Sequence, residues 1–267
     1  MAITSYLYQI LIFLKKKELI SSGKTNSIIE IGEQNWYGDV SFQDLKKAID
    51  NYSDSKNKEI LLRKLNEITT LTELGKDPKT FAFDLAKLFY RAIFDYKEYL
   101  ALDLQGSEHS INFDLNNEYK DVKKYDVVTN IGTSEHIFNQ LAVFKTIHNS
   151  VTAGGFIIHQ LPGQGYYDHG FYNYQPTFFF DLAQANNYFM IGFWMYDNNK
   201  KELISIHNRE NYAKLFDREN HPTYYDNIVI YKSSNKKEEE FKLPTQYIYS
   251  KTNLSSEEQK RWDANKK

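Results

Sequence analysis

The sequence predicts an α/β fold in which a mostly parallel sheet carries helices on both faces. Three observations lead there. Short apolar runs alternate with segments of helical periodicity from residue 27 onward. Several of these runs are apolar at nearly every position, as strands buried on both faces are. The last two, Tyr188 to Tyr196 and Tyr224 to Tyr231, are rich in aromatic and β-branched residues, which suits an antiparallel pair closing the sheet.

Each element follows in order. Leu7, Ile10, Leu11 and Leu14 recur at helical spacing, predicting an amphipathic helix within residues 1–22 that packs on its own domain. Lys15, Lys16 and Lys17 follow that apolar stretch, the reverse of a secretory signal, and the stretch falls short of the roughly 20 residues that span a bilayer. Ser21-Ser22-Gly23 reads as the helix stop, and Ser27-Ile28-Ile29-Glu30-Ile31-Gly32 as a buried strand running into a ligand-bearing loop. Residues 41–76 turn polar, with Leu61, Leu62, Leu65 and Ile68 on one face. They form a helical insertion, either a cap or a solvated arm. Asp77-Pro78 opens a helix whose periodicity runs from Thr80 to Phe94. Strands are then expected at Tyr99–Asp103, Tyr125–Asn130 and Phe156–Leu161, and Pro176 opens a further helix. Residues 1–232 form one domain on this reading, and 233–267 form a polar, solvated tail.

Composition narrows the function. Lys+Arg 33 against Asp+Glu 35 leaves a formal charge of -2, no field for phosphate backbones or acidic lipids, so neither nucleic acid nor a membrane is an expected partner. The absence of cysteine excludes disulfides, thiolate metal sites and a cysteine nucleophile, and suits a reducing compartment, so the cytoplasm is the expected location. A chain of 267 residues that is 41% hydrophobic has enough apolar material for one large core.

In an open parallel sheet the ligand lies beyond the carboxyl ends of the strands, and polar residues cluster there. Glu30 and Gly32 end the first strand, Asp103 ends the second, Asp114 follows a short segment beginning near Ile111, and Asn130 and Gly132 end the next. A carboxylate such as Asp103 can accept hydrogen bonds from two vicinal hydroxyls of a ribose, which points to a nucleoside-bearing cofactor. Taken singly, such carboxylates also serve as helix caps.

The order of these residues resembles the class I S-adenosylmethionine-dependent methyltransferases. Glu30-Ile31-Gly32 matches the family's first strand and loop, Asp103 its ribose carboxylate, and Asp114 in Asn112-Phe113-Asp114-Leu115-Asn116 its adenine neighbour. Tyr125–Asn130 looks like the fourth strand, and Ala153-Gly154-Gly155-Phe156 like the turn into the fifth. The resemblance spans roughly residues 27–231. It implies a Rossmann-like, seven-stranded sheet, S-adenosyl-L-methionine as cofactor, and contacts to it from Glu30, Gly32, Gln34, Asp103, Leu104, Asp114, Leu115, Asn130 and Gly132. One departure stands out: where the family has two or three glycines, Gly32 is followed by Glu33-Gln34-Asn35-Trp36-Tyr37-Gly38.

Downstream, Gly132-Thr133-Ser134-Glu135-His136 and Asp168-His169-Gly170-Phe171-Tyr172-Asn173-Tyr174-Gln175-Pro176 look like signatures of an uncharacterised branch of the same enzymes. Both segments follow strand ends, where neighbouring loops can face one pocket. Methyl transfer needs donor and acceptor held in line, and an acceptor hydroxyl must lose its proton. Glu135, His136, Asp168 and His169 are therefore the candidate catalytic residues, and Tyr172, Asn173 and Tyr174 the candidate acceptor site. Each histidine also has a structural alternative: His136 fixing its loop, His169 anchoring its turn. His159 reads as a buried histidine with a satisfied partner. No metal is expected, because no closely spaced histidine pair supports one. The expected activity is methyl transfer from S-adenosylmethionine to a small-molecule or glycan acceptor, most readily at oxygen. An inactive, cofactor-binding or regulatory relative is the alternative. A nicotinamide enzyme is disfavoured, since no Gly-x-Gly-x-x-Gly follows the first strand.

Overall fold

A computed structural model describes residues 2–20, 27–121, 123–217, 219–234 and 239–250, with 256, 259, 260 and 263. The Ser21-Ser22-Gly23 stop lies outside the described residues.

The chain opens with a two-residue strand, β1 (Ala2–Ile3), and a helix, α1 (Ser5–Lys16), capped by the Thr4 side chain, which accepts from Leu7 N. Tyr6, Leu7, Ile10, Leu11 and Leu14 are buried, so the predicted apolar face is the packed one. Strand β2 (Ser27–Ile31) is buried throughout, and β3 (Asn35–Trp36) pairs in parallel with β1. Helices α2 (Phe42–Tyr52) and α3 (Ser55–Glu73) follow, capped by Ser41 and Asp54. A short 3-10 turn, Pro78–Phe81, capped by Asp77, then leads into α4 (Ala82–Phe94). The remaining elements are β4 (Glu98–Asp103), β5 (Ser110–Asn112), β6 (Tyr125–Ile131), α5 (Gln140–Ser150), β7 (Val151–Gln164), α6 (Pro176–Ala185), β8 (Phe189–Asp197), β9 (Glu202–Ser205), α7 (Arg209–Leu215), β10 (Tyr225–Lys232) and α8 (Tyr247–Ser250).

Eight strands form the main sheet in the order β5-β4-β2-β6-β7-β10-β8-β9. The first five run parallel, and β10, β8 and β9 add antiparallel pairs. The sequence predicts seven strands; the eighth is β9, a four-residue edge strand whose Leu203 and Ile204 are too short an apolar run to stand out. Alternate residues of the central strands face opposite helical layers. Ile28, Val127, Ile158 and Ile230 pack under α1 and α4, while Ile29, Val128, Ile157 and Val229 pack with α5 and α6.

The 41–76 segment forms α2 and α3, which bury Leu45, Ala48 and Ile49, and Leu61, Leu65 and Ile68, in the same core as α4. Of the polar tail, residues 235–238 and most of 251–267 lie outside the described residues. Residues 239–250 fold back on the domain: Phe241 packs on the second core, His148 Nε2 lies 2.8 Å from the Glu239 carbonyl, and Tyr247 N donates to Asp181 Oδ1. Phe241 and Tyr247 thus dock on the domain while Leu243 and Tyr249 stay largely exposed, so the stretch is only in part the solvated tail its charges suggest.

Candidate active site

The carboxyl ends of β2, β4 and β6 lie side by side, so the sheet order alone brings together Glu30, Asp103 and Asn130. Gly32 and Gly132 follow their strands with φ +77° and +61°, a conformation in which glycine is favoured. Glu30 is fully buried. Its Oε2 accepts from Gln34 N at 2.8 Å and from the Tyr99 hydroxyl at 2.7 Å, while Oε1 has no hydrogen-bond partner. Burial pushes this carboxyl up to about 8, against the smaller opposing effect of those two bonds.

Asp103 Oδ2 accepts from Glu33 N at 2.9 Å and Oδ1 from Gln105 N at 2.8 Å, so each oxygen keeps lone-pair capacity for another donor. Glu33 directly follows Gly32. Its buried side chain meets Lys87 and Ser107. Burial raises its carboxyl, but the bonds from Lys87 and Ser107 outweigh that and hold it below the usual range. The loop after β2 is therefore fixed by a side chain that bridges to α4 and to the loop after β4.

Three of the expected cofactor residues serve the fold instead. Gln34 is buried, accepts from Thr129 Oγ1 at 2.6 Å and donates to the Gly32 carbonyl, which plugs the loop from beneath. Leu115 sits in the core. Asn130 is buried and accepts from Ser134 N at 3.2 Å while its amide contacts Ser134 Oγ and His159 Nδ1, so its side chain shapes the next loop. Leu104 is exposed, and half-buried Asp114 accepts from Asn116 N in its own turn.

Beyond β6 the chain makes a 3-10 turn at Ser134–His136, and the loop after β7 folds over it. Phe171 N and Tyr172 N both donate to the Glu135 carbonyl, at 2.8 and 3.2 Å. This brings His169 Nε2 to 3.7 Å from Glu135 Oε1, with His136 Nε2 at 3.9 Å. The imidazole rings are 4.9 Å apart. The Glu135 side chain is 1% exposed, and its Oε2 has no hydrogen-bond partner. Burial raises its carboxyl to about 7 and lowers His136, so the histidine favours its neutral form. Asp168 does not join them: its φ of +53° places it on an exposed turn. His159 is buried with Nδ1 near Asn130 and Nε2 unpartnered, so only one of its nitrogens is satisfied; burial alone drives it down to about 3.

Glu135, His169 and Gly132 line a cavity of about 1000 Å³. Its walls include Tyr6, Trp36, Tyr166, Tyr196 and Tyr224, with Asp226 and Asn198 among the polar groups. Asp226 is buried, and its Oδ2 accepts from Tyr6 and Asn198 at 3.0 Å each and from Tyr166. None of Tyr172, Asn173 and Tyr174 lines this cavity. Tyr174 is buried and bonds Ser134 Oγ and Gln140 Oε1, Tyr172 donates to the Phe138 carbonyl, and Asn173 is exposed. Nor does α2 or α3 contribute a lining residue.

A family model described as a methyltransferase domain matches residues 71–221, more than half of the chain. The chain belongs to that family. The match takes in Asp103, Glu135, His136 and His169 and leaves Glu30 and Gly32 outside. The methyltransferase is thus an S-adenosylmethionine-dependent enzyme, and its crevice suits that cofactor at Asp103, whose two oxygens keep spare acceptor capacity. Among solved structures, the methyltransferase is similar to the Burkholderia thailandensis 1,6-didemethyltoxoflavin-N1-methyltransferase with bound 1,6-didemethyltoxoflavin and S-adenosylhomocysteine. The identity is 8%, with 85% of this chain and 78% of that one covered and a TM-score of 0.43. It is also similar to the O-methyltransferase of a Brevibacillus brevis trans-AT polyketide synthase multienzyme in complex with S-adenosyl-L-homocysteine, at 9% identity, 85% and 72% coverage and TM-score 0.45. The N-methyltransferase NodS of Bradyrhizobium japonicum WM9 gives 9% identity, 85% and 86% coverage and TM-score 0.43. No curated protein matches by sequence. No helix among the described residues is long and apolar enough to cross a membrane.

Proposed function

We propose that the enzyme methylates an oxygen of a small hydroxylated molecule, a sugar or related alcohol, held in the 1000 Å³ cavity. The observation that carries this is the pairing of His169 with buried Glu135 on the cavity wall, next to Gly132 at the carboxyl end of β6. S-adenosylmethionine, when bound, supplies an electrophilic methyl group that already carries its leaving group. On this reading Asp103 takes the ribose hydroxyls, Asp114 lies toward the adenine, and Gly32 and Gly132 let the backbone approach, with Glu30 behind the loop.

The acceptor must then be oriented and deprotonated. His169 lines the cavity and is the group placed to take the proton, with Glu135 steadying the resulting imidazolium and His136 beside it. Tyrosine faces suit the C–H faces of a sugar, and Asp226 and Asn198 suit its hydroxyls.

The test is production of S-adenosylhomocysteine from S-adenosylmethionine across a panel of sugars, small alcohols and amines. Turnover on a hydroxyl acceptor is expected, falling at least tenfold in His169→Ala with cofactor affinity retained. Turnover confined to amines, or full activity in His169→Ala and His136→Ala alike, would overturn the reading.

A further inference from the structure

We propose that Glu135, His136 and His169 form a binding site for a divalent transition-metal ion of the zinc or cobalt type, open to the cavity. Their ligand atoms all lie within 4.8 Å of one another. Around a tetrahedral ion with ligands at about 2.0–2.2 Å, neighbouring donor atoms stand roughly 3.4 Å apart. The separations of 3.7 and 3.9 Å from Glu135 Oε1 close to that value with a few tenths of an ångström of movement. Both imidazoles are about two-fifths exposed and have room to make it.

Glu135 supplies the second, independent observation. Its carboxylate is buried on the cavity wall with Oε2 unpartnered. A carboxylate charge is costly where one of its oxygens is buried without a donor, and a cation held at Oε1 offsets that cost. The three donors are also held in register before any ion arrives. Glu135 and His136 are consecutive on one turn, and the His169 loop is tied to the Glu135 carbonyl through Phe171 N and Tyr172 N. Two imidazoles and one carboxylate favour zinc, cobalt, nickel or iron(II) over calcium and magnesium, which prefer all-oxygen sets. Three protein ligands leave a coordination position facing the cavity.

The ion's role in the reaction rests on the proposed function. A hydroxyl occupying the open position would lose its proton near neutral pH, and the histidines would then act as ligands while that proton passed to solvent.

The chelator-treated, tag-free full chain is titrated with Zn2+ by calorimetry and with Co2+ by visible absorption. S-adenosylhomocysteine binding is measured in parallel. One ion per chain at micromolar affinity is expected, weakened at least tenfold in Glu135→Gln and in the His136→Ala/His169→Ala pair, and unchanged in His207→Ala, a histidine exposed elsewhere. If Glu135→Gln fails to fold, the histidine pair decides alone. No ion bound, or wild-type metal affinity in the histidine pair, overturns the site. Failure to bind either ion in a sample that still binds S-adenosylhomocysteine sinks this proposal alone. Metal binding without turnover on any hydroxyl acceptor supports the site and tells against the oxygen-methylation reading.

Discussion

Gly170 lies flush against the backbone of Glu135: a Cβ there would stand 2.9 Å from the Glu135 carbonyl oxygen. That oxygen already accepts from Phe171 and Tyr172, so the contact fixes the whole His169 loop over the Glu135 turn. Glycine is required here for space, since the obstacle is backbone and cannot swing aside.

Gly170→Ala should therefore displace His169 while leaving the sheet intact. Near-attack geometry is sensitive to sub-ångström shifts, so kcat should fall tenfold or more, with a stability loss of about 1–3 kcal/mol and little change in cofactor affinity. Steady-state kinetics beside a urea melt checks this. A variant within twofold of the parent would mean that the contact does not register the loop.

Glu30 predicts a pH dependence of stability. Burial, the largest cause, raises its folded-state carboxyl to about 8. Below about pH 4.5 both folded and unfolded chains hold the proton, so ionisation costs nothing. Between about 4.5 and 8 only the folded state keeps it, so stability falls as pH rises through that window, by about 1.4 kcal/mol for each unit of difference between the two states. Glu30→Gln cannot ionise. Relative to the parent it should gain stability steadily from pH 5 to pH 8, by up to a few kcal/mol, in urea denaturation at several pH values. A stability difference that stays flat across that range would refute the buried, protonated carboxyl.

Particular residues show what was legible beforehand. The strand-end carboxylates Glu30 and Asp103 were readable because a parallel sheet fixes which end of each strand meets the crevice, and both stand there. Glu135, His136 and His169 were readable as neighbours for the same reason, since β6 and β7 are adjacent. Side-chain direction was not. Asp168 turns to solvent on a φ of +53°, and Tyr174 turns into the core toward Ser134, because loop backbone decides direction and carries no periodicity. The cavity's aromatic wall was hidden for another reason: Tyr6, Trp36, Tyr196 and Tyr224 come from four distant segments joined only by the tertiary fold. Asp226 alone left a trace, a charge just before the apolar run Ile228–Tyr231 of its strand.

Asp103→Ala should weaken S-adenosylhomocysteine binding more than tenfold, about 1.4 kcal/mol or more, if that carboxylate takes the ribose hydroxyls. The same substitution strips an acceptor from Glu33 N and Gln105 N, so a stability loss of about 1–3 kcal/mol should accompany it. Asp103→Asn separates the two effects. Its amide oxygen can still receive one of the backbone donors, so stability should partly recover while affinity stays low. Calorimetric titration of both variants is the check, and parental affinity in a folded Asp103→Ala protein would remove the assignment.

Asp226 separates charge from scaffold at the cavity wall. All three of its hydrogen bonds, from Tyr6, Tyr166 and Asn198, converge on Oδ2, and the residue lines the cavity from the second position of β10. Burial raises its carboxyl above the ordinary range, with those donors opposing the shift. Asp226→Asn can present its amide oxygen to the same donors and turn the NH2 toward the cavity, so the fold should hold within about 1 kcal/mol. Asp226→Ala removes the shared acceptor from two tyrosine hydroxyls and an amide, and should cost about 1–3 kcal/mol. If the carboxylate grips an acceptor hydroxyl, the asparagine variant should raise KM for the acceptor several-fold with S-adenosylmethionine affinity unchanged. An unchanged acceptor KM in a stable Asp226→Asn enzyme would confine Asp226 to holding Tyr6 and Tyr166 in place.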